Sequence, residues 1–340
     1  MNTSRGKNPE KSPYILAIES SCDETSAAVL TAGYEVLSNI VLSQDEIHAP
    51  YGGVVPELAS RRHIRSIGYV VSESLKRAGL RLSDIDYFAV TQGPGLIGSL
   101  LVGLSFAKGL AYYFDKPLIP ADHLEAHIHS AFIENSEIPF PALALLVSGG
   151  HTSIYLVKEK LDAGLIARTR DDAAGEALDK IAKFLDLGYP GGPVIDKMAK
   201  SGDRKRFRFT LPRMSDNSLD FSFSGLKTAA IKHIRDQKIT KSCTEIYDFL
   251  ASFQDAVVRA LLANLKKGID LLHPRALILA GGVARNQALR LGFTELAKRY
   301  RLAGFIPSPE FCTDNAAMVA ALALEKIKRG DIPSSFLDLN

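Results

Sequence analysis

Short apolar runs separated by polar turns alternate along this chain with longer amphipathic stretches. From Tyr14 it reads YILAIESSCDETSAAVL: an apolar run, a small polar turn, then a second apolar run. That order predicts two antiparallel strands joined by the turn. Residues 142–157, ALALLVSGGHTSIYLV, repeat it, so each of two lobes is expected to open with the same hairpin. Both turns carry hydroxyls and backbone N–H groups suited to an anion: Ser20, Ser21 and Thr25 in one, Ser148, Gly149, Gly150 and Thr152 in the other.

Between the hairpins, Val55, Leu58, Ala59, Ile64, Ile67, Val70, Val71 and Leu75 recur mostly at helical steps. A strand follows over 87–91, and the GPGLIG segment leads into a helix over 99–113, whose Gly98, Gly103 and Gly109 suit close helix–helix contact. The apolar stretch 100–114 is too short to span a bilayer and is expected to be a buried helix. Another strand is expected at 116–120, and Asp122 can cap a helix running to Ile133. The second half predicts helices at 173–185, 224–236 and 245–268, with YPGGP at 189–193 as a turn. A strand at 275–280, a Gly281-Gly282 turn, a helix from Asn286 and a last helix over 314–329 complete the pattern. Strands alternating with helices indicate an α/β protein with mainly parallel pairing around short hairpins.

Composition adds bounds. At roughly 100–200 residues per domain, 340 residues suggest two lobes sharing a cleft. With 46% hydrophobic and 23% charged residues, wholesale disorder is excluded. The net charge of +3 is silent about nucleic acid or membranes. Three scattered cysteines without a CxxC pair argue against a zinc ribbon or a disulfide framework and suit a reduced compartment. Residues 1–13 are polar, lack the apolar core of a signal peptide and read as a flexible tail. A cytoplasmic protein is expected.

Several groups could carry chemistry. His123 and His127, four residues apart on a helix, present two imidazoles on one face and can share a metal, although two unrelated histidines can fall at that spacing. Glu125 points away from that face, so a zincin-type base is missing. Asp314 is either a helix N-cap or a third ligand. Two histidines and a carboxylate with open positions would suit one divalent metal per subunit, iron(II) or else zinc. The Gly-rich turns at 148–150, 191–192 and 281–282 could admit phosphate to backbone amides, while no P-loop is present. This arrangement resembles the nucleotide cradle of the actin, sugar-kinase and heat-shock chaperone superfamily. Glu176 and Asp179 lie one turn apart, where a carboxylate can grip ribose or simply be a solvated helix start. Arg204-Lys-Arg-Phe-Arg-Phe209 and the Arg61, Arg62, His63, Arg65 group could track phosphates or stack bases; as ordinary amphipathic surface they need no ligand.

Taken together, the motifs match a known family. IESSCDET at 18–25, YGGVVPELASRRH at 51–63, GPGLIGSLLVG at 93–103, HLEAH at 123–127 and LLVSGGHT at 145–152 occupy the first half. DDAAGEALDK at 171–180, YPGGP at 189–193, DFSFSGLK at 220–227, GGVARN at 281–286 and CTDN at 312–315 occupy the second. In this order, from about residue 14 to 330, the chain resembles the bacterial tRNA threonylcarbamoyl-adenosine transferase family (TsaD), formerly described as glycoproteases. The resemblance implies a two-lobed actin-like fold, with lobe I over 14–135 completed by the helix 314–330, and lobe II over 140–312. It implies that His123, His127 and Asp314 are metal ligands. Leu146, Val147, Ser148, Gly149, Gly150, Asp179, Gly192, Asp196 and Asn286 then correspond to substrate- and nucleotide-binding positions.

The implied reaction moves threonylcarbamoyl from threonylcarbamoyl-AMP to N6 of the adenosine just 3′ of the anticodon, in tRNAs reading codons that begin with A. The implied partners are tRNA, a paralogous subunit (TsaB) and a small ATPase (TsaE). The Gly-rich 96–113 segment is a candidate pairing face, because small residues let helices approach closely; packing within its own lobe would account for them equally well. One departure is Ala126, where the family usually has Gly; an added methyl does not hinder a helix. The alternatives are a metal-dependent glycoprotein endopeptidase, disfavoured by the missing HExxH, and a non-catalytic scaffold, which would be expected to lack one of the three ligands.

Overall fold

Two five-stranded sheets with the same internal plan frame the molecule. The computed structural model describes residues 13–212, 214 and 216–334, so the tail expected at 1–13 lies outside it except for Pro13. The first sheet contains β1 (Tyr14–Glu19), β2 (Glu24–Thr31), β3 (Val36–Ser43), β4 (Tyr87–Gly93) and β5 (Leu118–Asp122), ordered β3-β2-β1-β4-β5. The second contains β6 (Ala142–Val147), β7 (Thr152–Glu159), β8 (Asp162–Arg168), β9 (Ala276–Ala280) and β10 (Ala303–Phe305), ordered β10-β9-β6-β7-β8. Read from its other edge, the second sheet repeats the first strand for strand.

In each sheet the hairpin and its third strand pair antiparallel, and the remaining two strands join in parallel. Half the pairings are therefore antiparallel, which corrects the expectation of a mainly parallel sheet. The third strands, β3 and β8, escaped the sequence reading. Edge strand β8, DAGLIAR, is largely exposed, and its short apolar run does not alternate with polar residues, so no period-2 pattern marks it as a strand.

The helices are α1 (Asp45–His48), α2 (Pro56–Ala78), α3 (Ile97–Phe114), α4 (His123–Glu134), α5 (Ala174–Phe184), α6 (Gly191–Ala199), α7 (Ser224–Asp236), α8 (Glu245–Leu272), α9 (Gln287–Tyr300), α10 (Pro309–Cys312) and α11 (Ala316–Arg329). They form three apolar layers around the sheets. Alternate residues of β1 point to opposite sides: Leu16 and Ile18 join a core with α2 and α3, while Ile15 and Ala17 join a central core. From the other sheet, Ala142, Ala144 and Leu146 of β6 enter the same central core, and Leu143, Leu145 and Val147 face α5 to α9. Helices α4 and α11 fill the space between the sheets. Residues Ala316 to Leu324 are all buried, and the five alanines among them keep the helix thin enough for that slot.

Several expectations change. The YPGGP segment is not only a turn, because α6 begins at Gly191. Ile64, expected in the core, is 65% exposed, while His63 and Ser66 take the inner face of α2. Helix α3 is not buried: although long and apolar enough to cross a membrane by length and composition, it is only 22% buried. It lies against α2 and β4 on one side. A Cβ at Gly103 would come 2.3 Å from Ser20 Oγ, and one at Gly98 equally close to Ser60 Oγ of α2. The close approach is thus internal. The opposite stripe, Ile97, Leu101, Tyr112 and Tyr113, faces outward.

The turn after β9 brings the two halves of the second sheet together. Gly281 has φ +90° and ψ 165°, and a Cβ there would lie 2.4 Å from the Val147 carbonyl oxygen. Only glycine adopts that backbone region readily. Gly281→Ala is expected to cost at least roughly 1–3 kcal/mol of stability, measured by urea denaturation; an unchanged midpoint would contradict the close approach to Val147.

Candidate functional site

The ends of α4 and α11 meet at one point. Strand β5 ends at Asp122, whose Oδ1 accepts from the backbone N–H of Leu124 and Glu125 at 2.8 and 2.9 Å. That cap starts α4 at His123, and one turn later His127 lies on the same face. The last helix is capped by Asn315, not by Asp314: Asn315 Oδ1 accepts from Met318 N, and its amide donates to the carbonyls of Phe311 and Thr313. The capping alternative for Asp314 falls, and its carboxylate turns toward the histidines. Asp314 Oδ1 lies 3.0 Å from His127 Nε2 and 3.7 Å from His123 Nε2. One ligand atom from each of the three lies within 4.8 Å of the others. Ala126 packs in the central core without disturbing the helix.

These donors fit a divalent ion: two buried imidazole nitrogens and a carboxylate, of softness suited to iron(II) or zinc. The charge balance agrees. Burial opposes a proton on His123, yet Asp314 and Glu19 overcome it and push that imidazole up to about 9. Asp314 is held well below the usual carboxylate range despite its burial, chiefly by His123 and His127. Glu19, fully buried, is likewise lowered against its burial by His123. Two carboxylates, Glu19 buried and Asp314 partly so, around two imidazoles make a site that attracts positive charge, whether proton or metal.

Glu19 was not singled out from the sequence. Its Oε2 lies 3.1 Å from His123 Nδ1 and accepts from Thr91 Oγ1 at 2.6 Å, and its Oε1 accepts from Ser21 N at 2.5 Å. The signal was present: an acid closing the otherwise apolar strand YILAIE. His151 was also missed. Half-buried, it is held below its usual range by burial and by the charges of His123 and His127, which places it beside the same centre.

The hairpin turns differ from the expectation. Ser20 Oγ donates to the Ser99 carbonyl, Ser21 Oγ faces His123 Nδ1 at 3.2 Å, and Thr25 Oγ1 faces His63 Nδ1 at 2.8 Å. These hydroxyls are buried and engaged, so the first turn offers none of them to an anion. In the second turn, Thr152 Oγ1 accepts from Ala174 N and Ser148 Oγ from His151 N. Gly149 and Gly150 stay exposed, and a Cβ at either would meet nothing within 4 Å. Leu146 and Val147 are fully buried, leaving only their main chain to meet a ligand.

Asp179, Gly192, Asp196 and Asn286 form one connected patch. Asp179 Oδ1 accepts from Gly191 N and Gly192 N at 2.7 and 3.2 Å, tying α5 to the start of α6. Burial raises its carboxyl despite those donors. Asp196 of α6 accepts from Gln287 N at 3.5 Å, where Asn286 caps α9 and donates to Gln254 Oε1 at 2.8 Å. Glu176 turns elsewhere, to Ala173 N and Lys180.

Other candidates stay apart. Glu125 lines a separate surface cavity of about 610 Å³ with Lys326 and Arg329. In the Arg-Phe segment, Phe207 and Phe209 pack edge-on against Phe249; the aromatics are therefore not free to stack on bases, and only the basic residues face out. Arg61 pairs with Glu57. A second acidic trio, Asp23, Glu24 and Asp45, gathers within 4.8 Å; burial and Asp23 push Glu24 well above its usual range.

Comparisons with known proteins follow this geometry. The family model described as TsaD, tRNA N6-adenosine threonylcarbamoyltransferase, matches residues 35–321. A protein of that name from Clostridium perfringens (strain SM101 / Type A) is 48% identical over 324 residues, covering 95% of this chain and 96% of the relative. One from Syntrophus aciditrophicus is 48% identical over 316 residues, 93% of each chain. Among solved structures, full-length HypF in its phosphate- and nucleotide-bound form aligns with a TM-score of 0.61 at 13% identity, over 94% of this chain and 56% of that one. Component A of the Acidaminococcus fermentans (R)-2-hydroxyglutaryl-CoA dehydratase aligns with a TM-score of 0.56 at 16% identity, over 93% and 100%. At such identities these two speak for the fold alone, which is the two-lobed actin-like one.

The charge arrangement can be tested without metal. In chelator-treated protein, His123 is expected to titrate near 9, above the 6.5 of an unperturbed imidazole. The folded chain then binds this proton more tightly than the unfolded one. Its contribution to stability is fully present below pH 6.5 and lost as pH rises through about 9. NMR titration of the imidazole resonances checks this, and Asp314→Asn should lower the midpoint; a wild-type midpoint at or below 6.5 would contradict the charge arrangement.

Proposed function

The chain belongs to the tRNA N6-adenosine threonylcarbamoyltransferase family, and from that premise we propose the following account of its reaction and site. It is a transferase that modifies tRNA, moving the threonylcarbamoyl group of threonylcarbamoyl-AMP to N6 of the adenosine just 3′ of the anticodon, in tRNAs reading codons that begin with A. The observation that carries the site assignment is the meeting of His123, His127 and Asp314 within 4.8 Å. These three residues would hold one divalent metal per subunit, iron(II) ahead of zinc. A bound ion of this kind supplies Lewis-acid polarisation of the carbamoyl carbonyl.

The chain's own groups supply position. The exposed Ser148-Gly149-Gly150 turn, with the main chain of Leu146 and Val147, receives the phosphate. The Asp179, Gly192, Asp196 and Asn286 patch receives the adenosine part. Adenine N6 is a weak nucleophile, so the reaction depends on an activated acyl carbon held against it. The N–C bond forms as the C–O bond of the mixed anhydride breaks, AMP departs with the electron pair, and N6 loses a proton. No covalent enzyme intermediate is required, and orientation supplies much of the rate. Glycoprotein endopeptidase activity is not favoured, since Glu125 lies outside the centre. A non-catalytic scaffold is not favoured either, because all three ligand types are present.

A tRNA substrate follows from the family, and TsaB and TsaE are proposed as partners. The outward stripe of α3 supports a docking role for the 96–113 segment: Ile97, Leu101, Tyr112 and Tyr113 are 57–80% exposed. An apolar stripe that large is costly in water unless something covers it. The working lobe boundaries are 14–135 with 314–330, and 140–312, and a cytoplasmic setting suits the substrate.

Two outcomes are expected. His123→Ala with His127→Ala should reduce threonine incorporation into tRNA to background in a reconstituted assay; undiminished modification would sink the metal assignment. Leu101→Glu should weaken association with the paralogous subunit in a pull-down or by calorimetry while the monomer stays folded. Gly103→Leu would be a poorer test, since that residue packs inward on Ser20.

A further inference from the structure

We propose that Glu19 is a positioning residue for the metal centre: it accepts the Nδ1 proton of His123 and so leaves the Nε2 lone pair free to ligate. This rests on the metal role given above to His123, His127 and Asp314.

Glu19 is the last residue of β1 and is completely buried. Three donors converge on its carboxylate. The Ser21 N–H reaches Oε1 at 2.5 Å, the Thr91 hydroxyl reaches Oε2 at 2.6 Å, and His123 Nδ1 lies 3.1 Å from Oε2. A carboxylate can only accept, so Nδ1 joins this network as N–H. Ser21 Oγ, 3.2 Å from the same nitrogen, could by itself either donate or accept, and would leave the tautomer undecided. Glu19 removes that ambiguity. With one proton held on Nδ1, the proton that a metal displaces is the one on Nε2, and the lone pair opens on the side of the ring facing Asp314, 3.7 Å from Oδ1.

The cost of this arrangement argues for a purpose. Burying a carboxylate is expensive unless charge and hydrogen bonds compensate it. A neutral amide could satisfy the Ser21 N–H in the same strand end at lower cost. What an amide cannot do is accept from Ser21, Thr91 and His123 together. Ligating imidazoles are commonly oriented by such an acceptor on their second nitrogen. By contrast, His127 Nδ1 is buried without a hydrogen-bond partner among the described residues, so Glu19 acts on one ligand only.

Glu19→Gln discriminates. Its single oxygen is claimed by the Ser21 N–H, which turns the NH2 toward His123. Nδ1 must then accept, the proton moves to Nε2, and the lone pair is lost to the site. The full-length protein is stripped with a chelator and titrated with cobalt(II) against a chromophoric competitor, while the visible d–d band is followed. Wild type is expected to bind cobalt(II), and His127→Ala to lose most of that binding. Glu19→Gln should bind roughly 10–100-fold more weakly, with a shifted band at saturation and an unchanged circular dichroism spectrum.

If Glu19→Gln does not fold, Thr91→Val replaces it. That variant keeps the carboxylate but frees Oε2, and should weaken cobalt(II) binding roughly two- to tenfold. Wild-type affinity and an unshifted band in a folded Glu19→Gln protein would overturn the positioning role and leave the metal reading standing; where that protein does not fold, wild-type affinity in Thr91→Val has the same meaning. No cobalt(II) binding by wild type, or undiminished binding in His127→Ala, would instead overturn the metal reading on which it rests.

Discussion

The slot between the two sheets governs the rest of the molecule. Helices α4 and α11 lie in it, covered by residues of β1 from one side and of β6 from the other. Both helices begin at the same end of the slot, so the first turn of α4 and the residue preceding the α11 cap are brought face to face. Their caps, Asp122 and Asn315, set the starting points. Small residues make the slot passable: Ala126 and Ala131 on α4, and the alanines of α11, let helices and sheets approach without voids. A bulkier residue in this layer would push the sheets apart and move the ligand-bearing ends with them.

Electrostatics then sharpen what packing delivers. Glu19, His123, His127 and Asp314 sit where water is scarce, and each would be costly there without the others. Together they form a compact set in which the carboxylates hold positive charge on His123, a state that a divalent ion can take over by displacing the proton. The same logic does not extend to the second acidic trio of Asp23, Glu24 and Asp45, where burial and the neighbouring carboxylates drive Glu24 toward its neutral form.

The sheets' shared plan explains why the site has two unequal halves. Each lobe opens with a hairpin, yet only the second keeps a turn open to solvent, at Ser148-Gly149-Gly150. In the first, Ser20, Ser21 and Thr25 are turned inward to hold Ser99, His123 and His63. One copy of the motif thus supports the helix that carries His123 and His127. The other keeps its glycine backbone exposed.

Much of this was legible in the chain itself. The two hairpins, the His123/His127 spacing, the long helices and the family motifs depend on local periodicity and residue order, which tertiary context modifies little. The exposed edge strand β8 was not legible, because its short apolar run lacks the alternation of a half-buried strand. Nor was the exposed face of α3, because an apolar helix reads alike whether its cover is its own fold or another protein. Asp314 shows the division most clearly. As a residue before a helix it could be a cap or a ligand, and spacing alone could not choose. Asn315 takes the cap and the slot brings His127 within 3.0 Å, so long-range packing turned Asp314 from the cap toward the histidines. Glu19 is similar: its burial could be read from YILAIE, but its partners lie 72 and 104 residues away in sequence. Residue type and local order determined which groups could do chemistry here. Only the closing of two sheets on α4 and α11 determined which of them meet, because hydrogen bonds and charges act over a few ångströms in space regardless of distance along the chain.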